Sequence, residues 1–186
     1  MEWLIVGVLI WSVVHLSLAL APKVTAGLKQ SLGAALFKAI FAGLILLGLA
    51  CIVFGWRASR PELLWYFSWA PHATSLLMLV AFIVFGTAMY PSRLQRFVRH
   101  PMLTAVIIWS GAHLLANGDS RSVILFGGLG LWAILDIILI NRRDGKPAVK
   151  APGSWLREVR GLVISLVIFV AVVFLHPYFA GVSVAG

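Results

Sequence analysis

Long apolar runs alternate with short polar connections along this chain, and the polar positions within the runs follow no period of two. A helix needs about 20 apolar residues to cross the hydrocarbon of a bilayer. Six runs approach that length: Trp3–Ala21, Ala35–Trp56, Trp69–Tyr90, Pro101–Ala116, Ser122–Ile140 and Gly161–Ala180. The fourth is short and runs into Asn117-Gly118-Asp119, which ends it near the interface. A transmembrane β-barrel would alternate apolar and polar residues, and no such alternation is present. The pattern therefore predicts an all-α fold: an integral membrane bundle of six transmembrane helices, forming a single domain over residues 1–186.

Composition sharpens this expectation. Of 186 residues, 61% are apolar and 11% charged, against about 45–50% and about 25% for soluble domains. An ordinary soluble domain and a disordered chain are both excluded. One Cys excludes a disulfide framework, a four-thiolate metal site and the paired-Cys attachment of a c-type haem. Neither of the common glycine-rich nucleotide loops occurs.

The net charge of +9 does not indicate nucleic acid, because the basic residues sit between apolar runs. Twelve of the 15 fall in alternate connections: Lys23, Lys29 and Lys38; Arg93, Arg96 and Arg99; then Arg142, Arg143, Lys146, Lys150, Arg157 and Arg160. Only Arg57, Arg60 and Arg121 fall in the others. Cytoplasmic loops carry the excess, which places both termini on the periplasmic side of a bacterial inner membrane. Ala19-Leu20-Ala21 resembles a signal-peptide cleavage site, but Met1-Glu2 lacks the expected positive charge, so the first run is read as a span. The Arg142–Arg160 connection is the longest polar stretch and carries Gly145, Pro147, Pro152 and Gly153.

With so little soluble surface, chemistry must lie in or near the spans. Ionisable residues at membrane depth are costly and become functional candidates. They are His15, His72, His100, His113, Asp136 and His176. At about 1.5 Å per residue, His15 and His113 each lie about 18 Å from opposite membrane faces, a few ångströms past the midplane. His100 sits at the cytoplasmic boundary, and His72 and His176 near the outer one. The two deep histidines share local sequence. Ile10-Trp11-Ser12-Val13-Val14-His15-Leu16 and Ile108-Trp109-Ser110-Gly111-Ala112-His113-Leu114 agree at five of seven positions. Trp, Ser and His then share one helix face in each copy. Three spans separate the copies, as an inverted three-plus-three repeat would require, although no other pair of spans shows a matching similarity.

A lone membrane histidine is most simply satisfied by a hydroxyl or carbonyl on a neighbouring helix. Two histidines matched in depth and local sequence instead suit a haem iron held from both faces. On that reading His15 and His113 are the axial ligands of haem b, with His100 in reserve, and Ser12 and Ser110 hold the other ring nitrogen of each ligand. Trp109, Arg99 and Asn117 complete the candidate set. Arg99, Arg57 and Arg121 remain alternatives for the haem propionates. Several of these residues also have plain structural readings. Arg99-His100-Pro101 is either a helix start or an anion site. Asn117-Gly118-Asp119 is a helix cap and turn. Asp136 either snorkels toward Arg142 or Arg143 or forms a buried ion pair. Trp3, Trp56, Trp65 and Trp69 are interfacial anchors, and Cys51 is a packing residue.

Arg99-His100-Pro101-Met102-Leu103, Trp109 and His113-Leu114-Leu115-Ala116-Asn117-Gly118-Asp119 resemble the NnrU family of membrane proteins. Leu125-Phe126-Gly127, Trp132-Ala133, Asp136 and Arg142-Arg143 continue the match, and His15-Leu16-Ser17, Leu32-Gly33 and Phe54-Gly55-Trp56 fit it. The resemblance implies a link to denitrification, where members are implicated in producing active nitrite and nitric oxide reductases. The family is also similar to the plant zeta-carotene isomerase, a haem b membrane enzyme, which implies haem binding here. A weaker likeness joins Arg99-His100-Pro101 to the S-adenosylmethionine-binding motif of isoprenylcysteine methyltransferases, whose C-terminal cofactor pattern is not evident here.

Three functions follow as expectations. The first is a haem b protein of redox-linked nitrogen-oxide respiration, with the lipid bilayer and respiratory or denitrification proteins as partners. The second is a haem-dependent cis–trans isomerase of an apolar polyene. The third is a cofactor-free accessory or transport protein.

Overall fold

The computed structural model describes residues 1–90, 92–145, 154–181 and 184. Lys146, Pro147, Lys150, Pro152 and Gly153 of the expected basic loop lie outside the described residues. Among the described residues seven helices run in chain order: α1 (Glu2–Leu20), α2 (Pro22–Leu32), α3 (Ala34–Ala58), α4 (Ala70–Gly86), α5 (Pro101–Ala116), α6 (Ser120–Asp144) and α7 (Trp155–Ala180). A 3₁₀ turn spans Arg93–Arg96. The described residues contain no β-strand, only an isolated bridge between Leu63 and Asp119.

The all-α expectation is met. Helices α1, α3, α6 and α7 are long and apolar enough to cross a membrane; α4 and α5, at 17 and 16 residues, are apolar but shorter. Helix α5 matches the fourth expected run at both ends. Pro101 supplies its first turn, where a missing N–H costs nothing, and Asn117 closes it by donating from Nδ2 to the His113 carbonyl at 3.0 Å. The first connection is not a loop. Pro22 starts α2, and Gly33, at φ +80°, ends it before α3.

The helices form two compact units, each drawing on both halves of the chain. The first joins α1, α2 and α3 to α6; the second joins α4 and α5 to α7.

In the first unit α1 packs along α3 and also meets α6. Small residues set the α1–α3 spacing. A Cβ at Gly55 would lie 2.2 Å from the Leu4 nitrogen, and one at Gly7 would lie 2.6 Å from the Ile52 nitrogen. Membrane helices gain most from such close backbone approach, because lipid offers no hydrophobic drive for association. Leu4, Val8 and Ile52 fill the centre, with Trp56, Ile124 and Leu125 around them. Helix α6 carries a π-helical segment over Val123–Gly127, which places Phe126 against the Trp56 ring at 6.1 Å.

Gly118 and Asp119 also organise this unit. The Gly118 carbonyl accepts from Leu64 N at 2.7 Å and Trp65 N at 3.1 Å. A side chain at Gly118 would meet the Trp65 carbonyl at 2.1 Å, so glycine is required there. Asp119 caps α6, accepting from Arg121 N at 3.1 Å and Ser122 N at 3.0 Å. Arg121 lies 4.1 Å over the Trp56 ring and 3.8 Å from the Asp119 carboxylate.

In the second unit α4 packs on α5 and α7. Thr74 donates to the Ala112 carbonyl at 2.9 Å, and Phe82 meets Phe169 at 5.7 Å. Beyond α4, Glu158 of α7 fastens the Ser92–Arg93 turn: Ser92 Oγ donates at 3.0 Å and Arg93 N at 2.6 Å. The Arg93 guanidinium then lies 4.1 Å over Trp155.

Candidate functional site

Each Trp-Ser-x-x-His copy lies on one helix, the first on α1 and the second on α5, in different units. Their internal geometry matches. His15 Nδ1 donates to the Trp11 carbonyl at 2.8 Å, and His113 Nδ1 donates to the Trp109 carbonyl at 2.9 Å. A carbonyl only accepts, so Nδ1 carries the proton in both rings and the lone pair sits on Nε2. Each imidazole also lies against the indole one turn earlier, at 4.6 Å for Trp11 and 5.0 Å for Trp109. The bond and the ring contact together fix both tautomer and orientation.

The sequence assigned that second nitrogen to Ser12 and Ser110. The backbone takes it instead, because a helical side chain points toward its own N-terminus and so reaches the carbonyl four residues back. Ser12 is half-buried. Ser110 is 3% exposed, and its hydroxyl has no hydrogen-bond partner among the described residues. A buried orphan of this kind calls for an explanation, such as a water or a ligand.

His15 is enclosed further by two rings that sequence reasoning did not assign to a site. Trp132 of α6 lies 5.0 Å from it and Phe41 of α3 lies 5.6 Å from it. Trp132 also meets Trp11 edge-on at 5.8 Å. The Nε1 atoms of Trp11 and Trp132 are buried, with no hydrogen-bond partner among the described residues. The available signal was position: Trp132 lies well inside a 25-residue helix, where interfacial anchoring does not explain a tryptophan. Asp136 lies one turn further along α6 and is buried rather than snorkelling. Arg143 pairs with Asp144 at 2.7 Å and donates to the Leu18 carbonyl at 3.1 Å.

In the second unit Trp109 joins His113 to an apolar cavity of about 220 Å³, lined also by Met78, Phe82, Phe85 and Val106. Arg99 and His100 are not at this depth. They border a separate polar cavity of about 280 Å³ with Gln95 and the first turn of α5. His72 is exposed in the first turn of α4, and His176 lies half-buried in the last turns of α7. Among the described residues no three His, Cys, Asp or Glu side chains gather as a metal site. A haem iron makes no such demand, since the porphyrin supplies four of its ligands. An imidazole with its lone pair held on Nε2 has the donor chemistry that such an iron accepts.

The family model described as NnrU protein matches residues 3–184, nearly the whole chain. No curated protein and no solved structure matches it.

Proposed function

From the premise that this chain belongs to the NnrU family, we propose that it is a membrane protein of six spans that binds haem b through the imidazoles of His15 and His113. The observation that carries this reading is the shared local geometry of the two Trp-Ser-x-x-His copies. In both, the Trp carbonyl holds Nδ1–H and keeps the lone pair on Nε2. Metal-ligating histidines characteristically donate their other ring N–H in this way, often to a backbone carbonyl. The pairing of these two residues rests on the sequence, through their similar depths, about 6 Å apart, and their shared heptapeptide.

When bound, haem b supplies a one-electron iron couple. The chain's own residues prepare the ligands. Trp11 and Trp109 orient the imidazoles. Trp132 and Phe41 surround His15 with rings and restrict water. The buried Ser110 hydroxyl and the Trp11 and Trp132 indole N–H groups offer unused hydrogen bonds beside the two histidines. The family resemblance to denitrification proteins supports a role for such a redox protein in nitrogen-oxide respiration, and the basic excess of alternate connections supports periplasmic termini.

The apolar cavity at Trp109 favours a second reading, in which an apolar polyene lies beside His113 and is isomerised with the help of haem. The absorption spectrum of the purified protein tests the shared premise. A Soret band that survives purification, with a b-type pyridine haemochrome, is expected. A colourless protein after expression with ample haem would leave the cofactor-free accessory reading. A carotenoid assay on haem-loaded protein separates the two haem readings. Nitrite and nitric oxide reductase activities in a deletion strain test the respiratory role.

A further inference from the structure

We infer that α2 is a membrane-surface helix that binds anionic phospholipid headgroups. Val24, Leu28 and Leu32 lie four residues apart and form one stripe along it. They are 63%, 47% and 39% exposed, and no residue of α2 is buried. Lys23 and Gln30 stand on the opposite face, and Lys29 on the flank of the stripe. An apolar stripe backed by lysines is the pattern of a helix lying in the interfacial plane.

The chain holds α2 at that level. It is joined at one end to α1 and at the other to α3, both long and apolar enough to span. The Thr25 hydroxyl donates to the Ala21 carbonyl at the junction of the two helices at 2.9 Å and lies 3.4 Å from the Ser17 carbonyl of α1. Eleven residues of helix cover about 16 Å, a distance suited to a short run along the surface between two spans.

Charge selects the lipid. Between Glu2 and Glu62 the chain has no acidic residue, while Lys23, Lys29 and Lys38 cluster at α2 and the start of α3. Each lysine near an anionic leaflet contributes a factor of roughly five to attraction. The long apolar stems of Lys23 and Lys29 allow the ammonium groups to reach headgroup phosphates while the stripe meets acyl chains.

The test uses full-length protein in nanodiscs of phosphatidylcholine alone or with phosphatidylglycerol. Leu28→Cys and Gln30→Cys are each nitroxide-labelled in a Cys51→Ala background, and depth is read by electron paramagnetic resonance from oxygen against aqueous-relaxant accessibility. Leu28 should report hydrocarbon and Gln30 water. Phosphatidylglycerol should raise the docked-to-undocked ratio of α2, and Lys23→Gln with Lys29→Gln should lower that gain roughly 25-fold. Equal water accessibility at the two positions would overturn the surface helix. Immersion of Leu28 that does not respond to phosphatidylglycerol would overturn the anionic partner. Circular dichroism of the labelled variants confirms that each retains its helix content.

Discussion

The Nδ1–H of His15 donates to the backbone carbonyl of Trp11, one helical turn earlier, at 2.8 Å. The bond is local to α1, so it forms wherever that turn is helical. His113 repeats it with Trp109 on α5 at 2.9 Å. An asparagine amide can replace Nδ1–H but has no counterpart of Nε2. His15→Asn should therefore keep the thermal midpoint in detergent within a few degrees of the parent while losing iron ligation. His15→Ala, which also empties ring volume beside Trp132 and Phe41, should cost a further 2–4 kcal/mol or so. Thermal unfolding followed by circular dichroism separates the two effects.

The α1–α3 contact should be intolerant at some glycines and indifferent at others. Gly55→Ala puts a methyl 2.2 Å from the Leu4 backbone nitrogen, and backbone cannot turn aside as a side chain can. Overpacking of this kind typically costs about 1–3 kcal/mol. Gly43 lies on the same helix with nothing within 4 Å of an added Cβ, so Gly43→Ala should be neutral or stabilise by up to about 1 kcal/mol. Thermal unfolding of both variants in one detergent checks the contrast.

Asp119 caps α6 and partners Arg121, which lies over Trp56. Asp119→Ala should destabilise the first unit by about 1–2 kcal/mol, and Asp119→Asn, itself a good cap, should recover much of that loss. Proteolysis near Glu62, Leu64 and Trp65, which hydrogen-bond to Ser120 and Gly118, provides a local readout.

Tyr90, past the end of α4, titrates above its ordinary value of 10.0, first because burial penalises the phenolate and second because Glu158 is close. A folded-state pKa raised above the unfolded value stabilises the fold below the unfolded pKa. That contribution is lost as the pH rises from about 10 through the raised value. Tyr90→Phe should therefore flatten the alkaline loss of stability, measured as thermal midpoint against pH from 9 to 11.5. Glu158→Gln should flatten it less, while loosening the Ser92–Arg93 turn.

The architecture was legible wherever one long-range force dominates. Apolar length placed the helices because hydrocarbon tolerates little else, and the expected bounds of α5 agree with its ends. Helix α2 was missed because Val24, Leu28 and Leu32 are only three apolar residues in a polar stretch, below any span threshold. At the candidate site, the Trp-Ser-x-x-His spacing put the right side chains on one face. It could not say that the carbonyl of Trp11 rather than the hydroxyl of Ser12 holds His15, since backbone acceptors are invisible in a sequence. Trp132 and Phe41 reach His15 from other helices, and their distance along the chain concealed them.

The most direct test of haem ligation is the visible and low-temperature electron paramagnetic resonance spectrum of the purified protein, compared with His15→Asn and His113→Asn. The parent should show a six-coordinate low-spin haem b. Each variant should lose haem or shift to a high-spin spectrum while keeping its helix content. Retention of the parent spectrum and full haem content by both single variants would contradict axial ligation by His15 and His113.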